Sequence, residues 1–219
     1  MTQFDRLRSI DYSPFLVHFT RDTGSSSERP IEGADFVTEE HQLFQHLGTT
    51  ALEKLLAILS ENELKTSPQI DLPNRPEAAC FTESVWGSFT RITSAFSSFG
   101  IGFNKRFVFD RGGGPALYTR GDIFSDLSNS FPSSLEPFVK PSDPDGSWIG
   151  KHSNYLFERE WRIDRNLVFN HVDVEFVIVD TYKDADFLVQ SIDSPQITAS
   201  KIIVMESHRL VREYWGGAL

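Results

Sequence analysis

Phe157-Glu158-Arg159-Glu160-Trp161-Arg162-Ile163 runs aromatic, acid, base, acid, aromatic, base, aliphatic. A β-strand gives that order when one face is apolar and the other charged, because successive side chains point to opposite faces. On a strand, Glu158, Glu160 and Arg162 share one face, and Phe157, Arg159, Trp161 and Ile163 the other. Two carboxylates two residues apart stand roughly 6.5–7 Å apart at the backbone. They can therefore act on one small molecule, and a neighbouring Arg holds one of them ionised. The same spacing also suits a surface strand whose Glu and Arg side chains pair with their neighbours, so the rest of the chain has to decide.

Working outward toward the C-terminus, 167–169 and 174–179 read as strands, 182–191 as a helix, 201–205 as a strand and 207–215 as a last helix. Upstream, Pro14 to Thr20 reads as a buried first strand with Leu16, His18 and Thr20 on one face. His18 there is either a satisfied core histidine or a functional one. Residues 21–45 turn to Ser, Gly, Pro and acids around Gly24-Ser25-Ser26-Ser27, the composition of a loop insertion. Thr50-Ala51-Leu52-Glu53 then fits a capping box, and Leu52, Leu55, Leu56 and Leu59 recur on one helical face.

Glu77 to Glu83 reads as a second buried strand, 84–97 as a helix, and 99–109 as a strand. Gly100 and Gly102 on one face of that strand admit another backbone or a flat ligand. Arg111-Gly112-Gly113-Gly114 is a turn, able to wrap a phosphate or simply to join two strands. Residues 115–119 follow as a strand, 121–138 carry a weak helical pattern broken by Pro132, and 141–146 read as loop. Strands outnumber helices, which predicts one α+β domain over 1–219 with a mostly antiparallel, split sheet and flanking helices.

The chain has 219 residues, among them 19 Phe, so the core is expected to rest on aromatic packing. Net charge is −10 and the pI near 5.0, which excludes a whole-molecule positive field for nucleic acid. Lys105, Arg106, Arg111 and Arg120 leave room for a local basic groove. Cys80 stands alone, which excludes an intramolecular disulfide and a cysteine-built zinc site within one chain. No apolar run has signal-core or membrane-spanning character, and a soluble cytoplasmic protein with no membrane partner is expected.

Four pieces in order resemble a known family: Phe15-Leu16-Val17-His18-Phe19-Thr20 before a leucine helix, Ala79-Cys80-Phe81-Thr82-Glu83, Phe99-Gly100-Ile101-Gly102-Phe103 leading to Pro115-Ala116-Leu117-Tyr118, and Lys151 with the Phe157–Arg162 strand. Together they look like the AbiGi-type abortive phage-resistance domain, over roughly residues 14–163. That group in turn looks like the ADP-ribosyltransferase fold, including DarT-type toxins. The resemblance implies NAD as substrate, with Glu160 catalytic and Glu158 its partner. It puts His18 at the adenosine ribose and Phe81, Thr82 and Glu83 at the nicotinamide, with Thr20 and Arg162 also among the NAD-binding residues. The Tyr of an H-Y-E pattern and a Ser-Thr-Ser run are both missing, and Tyr118 is the substitute.

The chemistry suits these residue types. Breaking the glycosidic bond of NAD passes through an oxocarbenium-like species, which a carboxylate that also grips the ribose hydroxyl stabilises. The leading expectation is a mono-ADP-ribosyltransferase effector of phage defence or a toxin–antitoxin system, acting on nucleic acid or protein, with an antitoxin or partner protein encoded nearby. The alternative is a non-enzymatic antitoxin, or a module sensing a nucleotide or phage protein on the same fold. A metal-dependent nuclease built on Glu158, Glu160 and Asp164 is a third reading, without an Asp/His cluster elsewhere to support it.

Overall fold

The computed structural model describes residues 13–22, 50–69, 72, 74–83, 97–127, 130–144, 156 and 159–207. Nearly all of the 84–97 and 207–215 helices, most of the 21–45 insertion, and Phe157 and Glu158 lie outside the described residues.

The first strand, β1 (Phe15–Phe19), is interior to an α+β sheet that is mostly antiparallel. On one side it pairs along its whole length with β5 (Gly100–Asn104), from Phe15↔Asn104 to Phe19↔Gly100. On the other side it meets β4 (Glu77–Thr82) through the single pair Val17↔Thr82. Beyond β4 come β9 (Glu160–Ile163) and the short edge strand β6 (Gly114–Pro115). Beyond β5 come β11 (Val174–Val179) and, parallel to it at the other edge, β12 (Ile202–Val204). A two-residue strand, β3 (Ser67–Pro68), adds to β4, while β2 (Glu63–Leu64) pairs with β10 (Leu167–Val168) in a separate ribbon.

Helix α1 (Ala51–Glu61) starts where the capping box predicts, with Thr50 accepting from the Glu53 N–H and Glu53 bonding back, and it ends at Asn62 in the left-handed region. Such a cap contributes about 1 kcal/mol. Leu55 and Leu59 from α1 are buried in the main core with Leu16, Phe81, Ile101, Phe103, Ile163 and, from α4 (Tyr182–Ser191), Leu188. On the opposite face, Val17, Ile178 and Met205 pack with Phe19, Phe176 and Ile203. The flat group that Gly102 admits is the Phe176 ring, which comes within 2.5 Å of where a Cβ would stand.

Two sequence readings need correction. The strand predicted over 99–109 stops at Asn104, and Lys105–Asp110 is a helix, α2. The Asn104 side chain accepts from the Arg106 N–H, capping the helix. Phe103, Phe107 and Phe109 imitate strand alternation, but Phe103 and Phe107 stack, with centroids 5.6 Å apart. The loop predicted from 141 is in fact the end of β8 (Val139–Ser142), which runs parallel to β7 (Leu117–Arg120) in a two-stranded ribbon. Pro141 is tolerated there because an edge strand need not donate a hydrogen bond. Between the two strands lies α3 (Gly121–Leu127), shorter than the pattern suggested, and Phe124 packs with Leu72 and Val139 in a small core of its own.

Candidate functional site around Glu160

Register decides which side chains meet, because residues paired across strands point to the same face. Val17, Thr82 and Glu160 form one row across β1, β4 and β9, and Cys80 with Arg162 forms a further row on that face. The intervening row, Phe81 with Trp161, points to the other face, as does His18. The imidazole lies edge-on to Phe81 at 6.1 Å between ring centroids.

Glu160 is buried, with 5% of its surface exposed, and Arg162 has 1%. The Arg162 Nε donates to Glu160 Oε1 at 2.7 Å, and its Nη1 donates to the carbonyls of Pro137 and Val139 at 3.0 and 2.9 Å. From β8, Lys140 Nζ stands 3.5 Å from Glu160 Oε2, and Oε2 has no hydrogen-bond partner among the described residues. The Glu160 N–H donates to the Tyr118 hydroxyl at 2.9 Å. Burial drives the Glu160 carboxyl toward its neutral form, but Lys140 and then Arg162 outweigh it and hold the group below the usual carboxylate range. The Cys80 thiol is pushed up to about 12 by burial and then by the Glu160 charge, so it stays protonated.

Of the residues proposed from sequence, Thr82, Tyr118, Glu160 and Arg162 come together here, and Glu158 lies outside the described residues. The resemblance places His18 and Glu160 at one NAD, whereas the register sets them on opposite faces with Phe81 packed against the imidazole. His18 Nδ1 lies 2.8 Å from the Cys80 carbonyl, and a carbonyl only accepts, so Nδ1 carries the proton. Burial, opposed by that bond and aided by Arg21, keeps the imidazole below its ordinary pKa and favours the neutral form. Nε2 is then an acceptor.

Two further residues are structural. The Thr20 hydroxyl donates to the Ala51 carbonyl at 2.7 Å, clipping the end of β1 to α1, and Phe81 is 1% exposed in the main core. Glu83 belongs to a second cluster on the opposite face: its Oε1 lies 2.8 Å from Lys105 Nζ and 3.6 Å from Arg159 Nη2, and its Oε2 accepts from Trp161 Nε1 at 3.2 Å.

Sequence reasoning missed Lys140. A lysine between Val139 and Pro141, both buried, is the signal that could have revealed it. In the nuclease reading, Asp164 instead pairs with Arg165 at 2.8 Å. Among the described residues no group of His, Cys, Asp and Glu is placed to hold a metal ion, and no helix is long and apolar enough to cross a membrane. No family model matches the chain, and neither a curated protein nor a solved structure matches it significantly.

Proposed function

We propose that the chain is an ADP-ribosyltransferase-like domain that takes NAD as substrate, with Glu160 as the carboxylate that grips the ribose. One observation carries the reading: Glu160 Oε2 is a buried acceptor that, among the described residues, has no hydrogen-bond partner at ordinary length, with the Lys140 ammonium 3.5 Å away and Thr82 and the Tyr118 hydroxyl beside the residue. A ribose hydroxyl is the kind of donor that satisfies it. Further support is the order β1-β4-β9, which sets the first strand, the middle segment and the acidic strand of the resemblance side by side. In the reaction the bond from the sugar C1′ to nicotinamide breaks with its electron pair leaving on nicotinamide. A bond from C1′ to the acceptor forms, and the acceptor's proton passes to Glu160 or to solvent. Negative charge at Glu160 stabilises the positive charge that develops on the sugar. His18 plays no part at this face. An effector role in phage defence or a toxin–antitoxin pair rests on the resemblance alone.

The test is transfer of label from NAD to nucleic acid or lysate protein. Wild type should transfer, and Glu160→Gln should lose at least about 100-fold; a Glu160→Gln variant that still transfers label overturns the assignment. Overproduced wild type should poison cells where the variant does not.

The deep burial of Glu160 between two cations favours a second reading, a non-catalytic module that senses a nucleotide. Stabilisation by NAD or ADP-ribose in a thermal shift, with no turnover, would select it.

A further inference from the structure

Glu160 has two carboxylate oxygens, and the protein treats them differently. Oε1 is held by Arg162, whose charge is already shared with the carbonyls of Pro137 and Val139. Oε2 lies in the same buried space without a donor. A buried carboxylate with one unsolvated oxygen tends to take up a proton unless a charge stands nearby. Among the described residues, the groups that face it are Arg162 from β9, Cys80 from β4, Tyr118 from β7 and Lys140 from β8. The Cys80 thiol is neutral, and the Tyr118 hydroxyl accepts the Glu160 backbone N–H. Of these described groups, Arg162 brings its charge to Oε1 and Lys140 brings one to Oε2.

We propose that Lys140 is the positioning residue of this site: its ammonium group, carried in by the β7–β8 ribbon, holds the Glu160 carboxylate ionised and oriented while leaving Oε2 open to a ligand. The ribbon is built for this delivery. Tyr118 and Lys140 are register partners in it, so their side chains leave the ribbon on the same face. The Tyr118 contact to the Glu160 N–H pins that face against the start of β9. Arg162 fastens the approach to β8 by its bonds to the carbonyls of Pro137 and Val139. At 3.5 Å the ammonium attracts Oε2, and the oxygen keeps acceptor capacity for a sugar hydroxyl. The role in catalysis rests on the reading of Glu160 as the ribose-gripping carboxylate, but the electrostatic role does not.

The experiment is a titration of Glu160 by carboxyl carbon NMR in the full chain labelled at glutamate, with the resonance assigned by its loss in Glu160→Gln. In wild type the resonance should titrate below the usual carboxylate range. In Lys140→Met it should move up from the wild-type position, and Lys140→Arg should restore it. A folded Lys140→Met whose Glu160 titrates as in wild type overturns the proposal. Should Lys140→Met not fold, Lys140→Gln takes its place and is read the same way. If NAD transfer exists, the acid limb of its pH profile should move up with the titration. A moved titration in a protein inert toward NAD leaves Lys140 in its role and removes the transferase reading. An unmoved titration in an active enzyme does the reverse.

Discussion

Glu83 and Glu160 occupy adjoining positions on the β4–β9 pair, where the Glu83 N–H donates to the Arg159 carbonyl one step from the pair Thr82↔Glu160. Both acids are buried, at 7% and 5% exposure, yet they point to opposite faces. Glu83 has a donor or cation at each oxygen, in Lys105 and Trp161 with Arg159 farther off. Glu160 has a donor at one oxygen and a cation standing off the other. A carboxylate satisfied on all sides is a fastening, and it ties the end of β5 to the start of β9. A carboxylate oxygen left without a hydrogen-bond partner costs stability, and that cost is what sets Glu160 apart from Glu83.

The largest effect expected from breaking this comparison lies at Arg162. Arg162→Met leaves a buried carboxylate and two carbonyls without their donor, and should cost about 3–5 kcal/mol, read from urea unfolding. Glu83→Gln should cost about 1.5–3 kcal/mol, the range for hydrogen bonds to charged groups. A Glu83→Gln loss near zero would mean that the fastening contributes nothing, and the contrast between the two acids would fail.

These differences were only partly legible in the sequence. Thr50-Ala51-Leu52-Glu53 announced its helix because capping is local, and the alternation Glu160-Trp161-Arg162-Ile163 announced its two faces for the same reason. Alternation assigns faces within one strand, however, and says nothing of parity between strands. The pairs Val17↔Thr82 and Thr82↔Glu160 set Glu160 level with Val17. A shift of one residue would have set it level with His18. The convergence expected of His18 and Glu160 depended on that choice, which long-range packing makes. Lys140 was hidden for a related reason: β8 is recognisable only through its parallel partner β7, and Pro141 disguised it as loop.

A pH series sharpens the comparison further. The Glu160 carboxyl titrates lower in the folded protein than in the unfolded chain, where about 4.3 is usual. Its contribution is therefore present above the unfolded value and lost as pH falls through the folded one. The stability difference between wild type and Glu160→Gln should accordingly be steady near neutrality and change as pH falls below about 4.3. A difference that is flat across that range would mean that the folded protein does not lower the titration of Glu160.

The smallest effect belongs to His18, and it separates the faces most directly. His18→Leu removes the Nδ1–H bond to the Cys80 carbonyl and should cost about 0.5–1.5 kcal/mol, the net worth of one such bond. Because the imidazole lies on the face away from Glu160, the affinity for NAD or ADP-ribose measured by calorimetry should stay within about twofold, a change of less than 0.5 kcal/mol. A tenfold loss of affinity in a stably folded His18→Leu would mean that the ligand reaches through the parting of β1 and β4, where the two strands share only one pair. In that event the site is the gap itself and not the face that bears Glu160. The acceptor Nε2 of His18 would then be a ligand contact, and the distinction between a fastening acid and an open one would no longer coincide with the two faces of the sheet.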